Sequence, residues 1–185
     1  MRLINLILII FIALTSGIKA DSEDEIINEL KKGGNLIFIR HAYAPGGGDP
    51  ENFNINDCST QRNLSDIGRE QSKKIRNFFK NNEIPIDKVI SSEWCRCKET
   101  ALIAFDKFET KNFLNSFFSI KFAKNKKTQM KNLIDYINKW NGDGNLVLVT
   151  HYVVISEALD YAPSSGEIVI SNKMFKMTGN IEINY

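Results

Sequence analysis

Three features of the sequence predict an α/β fold in three layers, with helices on both faces of a mostly parallel central sheet. Four short runs rich in Ile, Val and Leu are continuous rather than alternating, as in strands buried on both faces. Segments with apolar residues at helical spacing lie between them. Strand-like and helix-like segments then alternate along the chain, the order that builds parallel sheets.

The elements read as follows. "MRLINLILIIFIALTSGIKA", residues 1–20, has Arg2, an apolar core from Leu6 to Leu14, then small residues up to Ala20. That is the layout of a secretory signal peptide, too short and one-sided for a membrane span. Residues 21–185 are then expected to form a single domain, exported to the periplasm or secreted. The first strand is "NLIFI" (35–39), ending at Arg40 and His41 ahead of Gly46–Gly48. A helix follows from Leu64 through Ile67, Ile75, Phe78 and Phe79, with Ser65 as its cap. "KVIS" (88–91) is the second strand, and a helix starting near Arg96 runs through Phe105. "KNFLNSFF" (111–118) is ambiguous between strand and other structure. Met130, Leu133, Ile134, Ile137 and Trp140 trace a core-facing helical stripe that "NGDGN" ends. "NLVLVT" (145–150) and "EIVIS" (167–171) are strands, and "IEIN" (181–184) is a weaker one.

Charge excludes one class of partner. The chain carries 24 Lys plus Arg against 22 Asp plus Glu, and Arg2 and Lys19 belong to the leader. The remainder is balanced and gives no reason to expect nucleic-acid binding. Lys121, Lys124, Lys126, Lys127 and Lys131 read as a solvated face. No later apolar stretch is long enough to cross a bilayer, so no membrane attachment is expected once the leader is cleaved.

Cys58, Cys95 and Cys97 are the three cysteines. An oxidising compartment favours one disulfide from Cys58 to Cys95 or to Cys97, with one thiol left over. Cys95 and Cys97 are too close in the chain to bridge each other without strain. The same three residues could instead form a soft metal or redox site in a binding module, but no fourth ligand at matching spacing accompanies them.

In sheets of this kind ligands gather beyond the carboxyl ends of the strands. His41 and His151 are the two histidines, and both follow apolar runs at strand exits. Arg40 precedes the first, and Arg96 opens the helix after a third exit, that of the 88–91 strand, where backbone donors favour an anion. Two arginines and two histidines converging on one small group suit phosphate, because guanidinium offers forked donors to its oxygens. Arg62, just before the Ser65 cap, is a secondary substrate-binding candidate, with a structural ion pair as the alternative. Gly46–Gly48 lack the Lys-Ser/Thr of a P-loop and read as a loop at the pocket mouth. Gly68 reads as a close-approach position.

These motifs resemble the histidine phosphatase, or phosphoglycerate mutase-like, superfamily. "RHA" (40–42) stands where the family has Arg-His-Gly, and "RNLSDIGREQ" (62–71) resembles its Leu-x-x-x-Gly-x-x-Gln helix opening. "SSEWCRCKETA" (91–101) matches its Ser-x-x-x-Arg-x-x-x-Thr-Ala segment, and "VTHYVV" its late strand-exit histidine. The resemblance implies a phosphoglycerate mutase-like fold and a catalytic set of His41, Arg40, Arg96 and His151. His41 would be the nucleophile that forms a phosphohistidine, with the other three holding the transferred oxygens and no metal or other cofactor required. It implies a small phosphorylated substrate or a phosphohistidine protein. Where many members carry a glutamate as proton donor, this chain has Ser116, a poor acid near neutral pH. Glu109, Asp57 and Asp49 are the substitutes, and mutase activity is not expected. A non-catalytic binder of phosphorylated ligands is the alternative. His41 is expected to be exposed at its strand end.

Overall fold

The computed structural model describes residues 23–185; the segment read as a signal peptide lies outside them. In chain order the elements are α1 (Glu23–Lys32), β1 (Leu36–Arg40), α2 (Asp66–Asn81), β2 (Ile86–Ser91), α3 (Cys95–Phe105), β3 (Glu109–Thr110), the one-turn α4 (Ile120–Ala123), α5 (Lys126–Lys139), β4 (Asn145–Thr150), α6 (Tyr152–Leu159), β5 (Ile168–Ser171) and β6 (Met177–Ile181). The sheet order is β3-β2-β4-β1-β5-β6. β3, β2, β4 and β1 run parallel, and β5 and β6 extend the sheet antiparallel beyond β1.

Period-two alternation divides the core into two halves. Ile37 and Ile39 of β1, with Val147 and Val149 of β4, face Ile26 and Leu30 of α1, Ile75 and Phe79 of α2, and Ala101 and Ala104 of α3. Leu36 and Phe38, with Leu146 and Leu148, face Leu133 and Ile137 of α5 and Val154 and Ile155 of α6. Three layers result, as the continuous apolar runs require. Ser65 caps α2 by accepting the Gly68 N–H, as the sequence suggests.

Some expectations shift. The weak strand expected at 181–184 is not formed there: β6 spans Met177–Ile181, shares only Ile181 with that stretch and pairs with β5 across a hairpin. It is an edge strand, half open to solvent, and so lacks the continuous apolar signal of the central ones. Residues 111–118 form a 3-10 turn at Asn112–Leu114 and a loop. Phe113, Leu114 and Phe117 are buried there, while Gln129 Nε2 of α5 donates to Asn112 O at 3.2 Å and Asn115 O at 2.7 Å. The apolar residues mark core contact rather than a sheet ladder. Along α5, Leu133 and Ile137 are buried and Ile134 is exposed, so the core stripe is narrower than its sequence pattern.

Register positions the site. Arg40 lies opposite Thr150 on paired β1 and β4, and Ser91 lies opposite Val149 on β2 and β4. Three neighbouring parallel strands therefore release their chains at one level of one sheet edge.

Candidate active site

His41 and His151 are the first residues beyond β1 and β4. The His41 N–H continues the ladder to Thr150 O at 2.9 Å, and the two ring centroids stand 5.5 Å apart. Ser92 leaves β2 the same way, its N–H on Val149 O at 2.9 Å. The chain then turns into α3, whose second residue is Arg96.

The backbone after His41 is held from two helices. Ala42 N–H donates to Thr100 Oγ1 of α3 at 3.1 Å, and Tyr43 N–H donates to Gln71 Oε1 of α2 at 2.9 Å. Gln71 Nε2 donates in turn to Ser165 O and Ile183 O, at 2.7 and 2.6 Å. Gly68 lets α2 reach this loop: a Cβ there would stand 2.1 Å from Tyr43 O. The close approach expected of Gly68 is thus real, but it is made to the loop beyond β1 and not to the sheet.

Hydrogen bonding fixes the His41 tautomer. Nδ1–H donates to Ala42 O at 2.9 Å, which leaves a lone pair on Nε2; Arg96 Nε donates to that nitrogen at 3.2 Å. Burial, then the positive charge of Arg96, push the His41 pKa well below the usual histidine value, against the Ala42 hydrogen bond. The ring is neutral, with the Nε2 lone pair unprotonated and facing Arg96. At 2% exposure it lies on the floor of the cleft, not exposed as the sequence suggests, because Thr150, Thr100 and Arg96 enclose it.

His151 is neutral for the same two reasons, burial first and Arg96 second. Its Nδ1 faces Arg96 Nη2 at 3.4 Å, and its Nε2–H reaches Ser92 Oγ at 2.9 Å. Ser92 Oγ–H donates to Asn115 Oδ1 at 3.1 Å, and Asn115 Nδ2 donates to Glu93 Oε2 at 2.6 Å. This relay locks the ring angle.

Above the histidines opens a cleft of about 640 Å³. Arg40 places Nη1 on Pro163 O at 2.8 Å and stacks over the Tyr152 ring, 5.5 Å from its centroid. Arg62 Nη1 bonds Ala44 O. The Nε atoms of both arginines are buried without an acceptor, as donors awaiting an anion would be. Arg96 Nη1 and Nη2 hold the Asp49 carboxylate at 2.7 and 3.3 Å. Arg40, Arg62, Arg96 and Lys121 line the cleft against Asp49 and Glu51, an excess of two positive charges with both histidines neutral. That excess matches a phosphate dianion. The α3 N-terminus contributes less than expected, since Cys95 N–H is taken by Gln61 Oε1 at 2.9 Å; its service to the site is the placement of Arg96.

A model of the histidine phosphatase superfamily (branch 1) matches residues 36–115, the stretch that carries Arg40, His41, Arg62 and Arg96. Over these residues the chain is similar to this superfamily. Solved structures agree on the fold. The protein histidine phosphatase SixA complexed with tungstate is 16% identical at a TM-score of 0.56, covering 81% of this chain and 96% of its own. TTHB049 from Thermus thermophilus is 12% identical at 0.58, covering 80% and 98%. Rv3214 from Mycobacterium tuberculosis is 15% identical at 0.54, covering 74% and 89%. No curated protein matches the chain by sequence.

The structure brings Arg40, His41, Arg62, Arg96 and His151 onto one cleft, with Gly46–Gly48 at its mouth and Ser116 on its wall. Of the three carboxylates named as substitutes for the missing glutamate, only Asp49 reaches it. Asp57 caps the 3-10 turn at Cys58–Thr60, and Glu109 sits on edge strand β3 between Lys88 and Lys111. Cys58 is joined to Cys95, resolving the choice of partner. Cys97 is buried against His151, and burial pushes its thiol up to about 12. Among the described residues no group of three or more His, Cys, Asp or Glu could hold a metal ion. Sequence reasoning missed the roles of Ser92 and Asn115 in the His151 relay and of Trp94, whose Nε1–H donates to Asp49 Oδ2 at 2.9 Å. Ser92 lies within the 91–101 motif, whereas Asn115 and Trp94 act across the fold and leave no spacing signal.

Proposed function

We propose that the protein is a phosphatase that hydrolyses a phosphorylated substrate through a phosphohistidine on His41. The observation that carries this reading is an unprotonated His41 Nε2 directed into a cleft with two excess positive charges. Nε2 attacks phosphorus in line; an N–P bond forms as the bond to the leaving group breaks. Arg40, Arg62, Arg96 and His151 hold the transferred oxygens and offset the charge that develops on them. Water then attacks phosphorus, the N–P bond breaks, and phosphate leaves with His41 restored. This makes the enzyme a hydrolase of phosphoric esters or phosphoramidates rather than a mutase, with water as the final acceptor.

SixA, similar in fold, is described as a protein histidine phosphatase and holds tungstate, a tetrahedral oxyanion shaped like phosphate. A phosphohistidine protein therefore stands beside small phosphorylated compounds as a substrate class. We place the enzyme outside the cytoplasm, as residues 21–185 released from a signal peptide. The layout of residues 1–20 and the Cys58–Cys95 disulfide support that compartment.

The test is phosphate release by residues 21–185 from a panel of phosphorylated compounds that includes a phosphohistidine peptide. Turnover of at least one member should fall by roughly 10³-fold or more in His41→Ala. No turnover of any member by protein that still binds phosphate would leave a binder. Normal turnover by His41→Ala would remove His41 from the chemistry.

A further inference from the structure

Phosphoryl transfer to His41 leaves an oxygen that needs a proton, and Ser116 cannot supply it at neutral pH. We propose that Asp49 is the acid that protonates the leaving group, a role that rests on the phosphohistidine reading above.

Asp49 sits on the loop between β1 and α2, on the residue after Gly48; Gly46 and Gly48 both have positive φ, 88° and 79°. Its carboxylate accepts from Arg96 Nη1 at 2.7 Å and Nη2 at 3.3 Å, from Trp94 Nε1 at 2.9 Å and from Arg62 N–H at 3.1 Å. Arg96 turns Nε to His41, so its Nη groups are the ones left for oxygens of a phosphoryl group bound above Nε2. The carboxylate occupies those donors now. Substrate phosphate takes them over and displaces Asp49 only to the adjoining space, because Trp94 Nε1 still holds its Oδ2 and Arg62 Nη1 holds the loop at Ala44 O.

That exchange changes the acid. In the free protein burial opposes ionisation, but the hydrogen bonds and charge of Arg96, with the Trp94 and Arg62 donors, win and hold the carboxyl below its usual range. With phosphate bound, Asp49 loses the Arg96 donors and faces a dianion. Both changes favour the protonated carboxyl. The acid therefore forms when substrate is present, its proton drawn from solvent.

Position agrees with the role. His41 attacks from the floor, so the leaving group departs toward the mouth, where Asp49, 15% exposed, stands between the glycine loop and Trp94. Other nearby carboxylates are engaged or open to water. Glu93 is held by Asn115, Glu167 by Tyr161, Ser164 and Asn180, and Glu51 is solvent-exposed. In the first step the N–P bond forms, the P–O bond breaks and the Asp49 proton passes to the departing oxygen. In the second, the carboxylate takes a proton from the attacking water as the N–P bond breaks.

Asp49→Asn keeps the side-chain shape and one acceptor oxygen, replaces the other with an NH2 donor, and carries no transferable proton. The test compares it with the unaltered protein on phosphate esters ranging from a dinitrophenyl to an alkyl leaving group. The expected loss in kcat/KM is roughly 10²–10⁴-fold for the alkyl ester, and at least about tenfold smaller for the dinitrophenyl ester, which leaves without a proton. A loss equal across the series would make Asp49 a positioning residue and overturn the proposal. So would a lower KM on every ester with no loss of rate, the behaviour of a carboxylate that merely competes for Arg96. A phosphohistidine trapped from the dinitrophenyl ester on both proteins shows that the His41 reading stands whichever way the series falls; its absence from the unaltered protein removes that reading instead.

Discussion

At the scale of single residues, solvent exclusion and Arg96 decide the state of both histidines. An imidazolium on His41 or His151 would lie in a buried space already occupied by guanidinium groups, so the neutral ring wins by both effects. With only two histidines in the chain, their ring nitrogens can be followed individually by NMR. Neither should titrate near 6.5; both should stay neutral until well below it, and an ordinary midpoint for His41 would contradict its enclosure by Arg96. The linkage has a definite sign. A histidine whose folded pKa lies below its unfolded one takes up protons on unfolding, so stability is intact above about 6.5 and declines as pH falls beneath it. The limiting slope is about 1.4 kcal/mol per pH unit for each ring.

Elements set the site by register and by close approach. β1 and β4 are parallel and aligned, so two histidines 110 positions apart in sequence become neighbours without any local signal linking them. Gly68 tests the second device. In a helix interior Gly→Ala ordinarily gains about 1 kcal/mol from propensity. Here the new methyl would meet the Tyr43 carbonyl, a backbone atom that cannot rotate away. The clash should win: Gly68→Ala is expected to lose about 1–3 kcal/mol in denaturant unfolding and to lower activity, because Tyr43 follows the His41–Ala42 pair. A gain in stability would show that α2 can move off the loop freely. At this scale the central strands were legible, since β1 and β4 are buried on both faces and read as unbroken apolar runs, and β2 shows its buried half at Val89–Ser91. α1 and α6 were not read. α1 shows only Ile26 and Leu30 as buried positions, and α6 follows His151 with too few polar residues to mark a face.

For the whole molecule, three layers leave one sheet edge free to collect residues from β1, β2 and β4, and the cleft forms there. The disulfide ties the segment after the glycine loop to the start of α3 across 37 positions. On chain-entropy grounds such a link contributes about 3–4 kcal/mol, and it anchors the turn that carries Arg96. The arginines and histidines of the cleft were legible because strand exits and helix starts are places a sequence marks. Asp49 was a candidate without a position, since its pairing with Arg96 depends on how a glycine-rich loop folds back, and loop path leaves no periodicity. Compartment and substrate rest on residues 1–20 and on the cleft's charge. The covalent intermediate on His41 is to be sought by rapid quenching of the protein during turnover, followed by mapping of the adduct by mass spectrometry. An acid-labile, base-stable phosphoryl group is expected on His41 and not on His41→Ala; a phosphoryl group on any other residue of an active protein, or turnover with no adduct at any quench time, would rule this intermediate out.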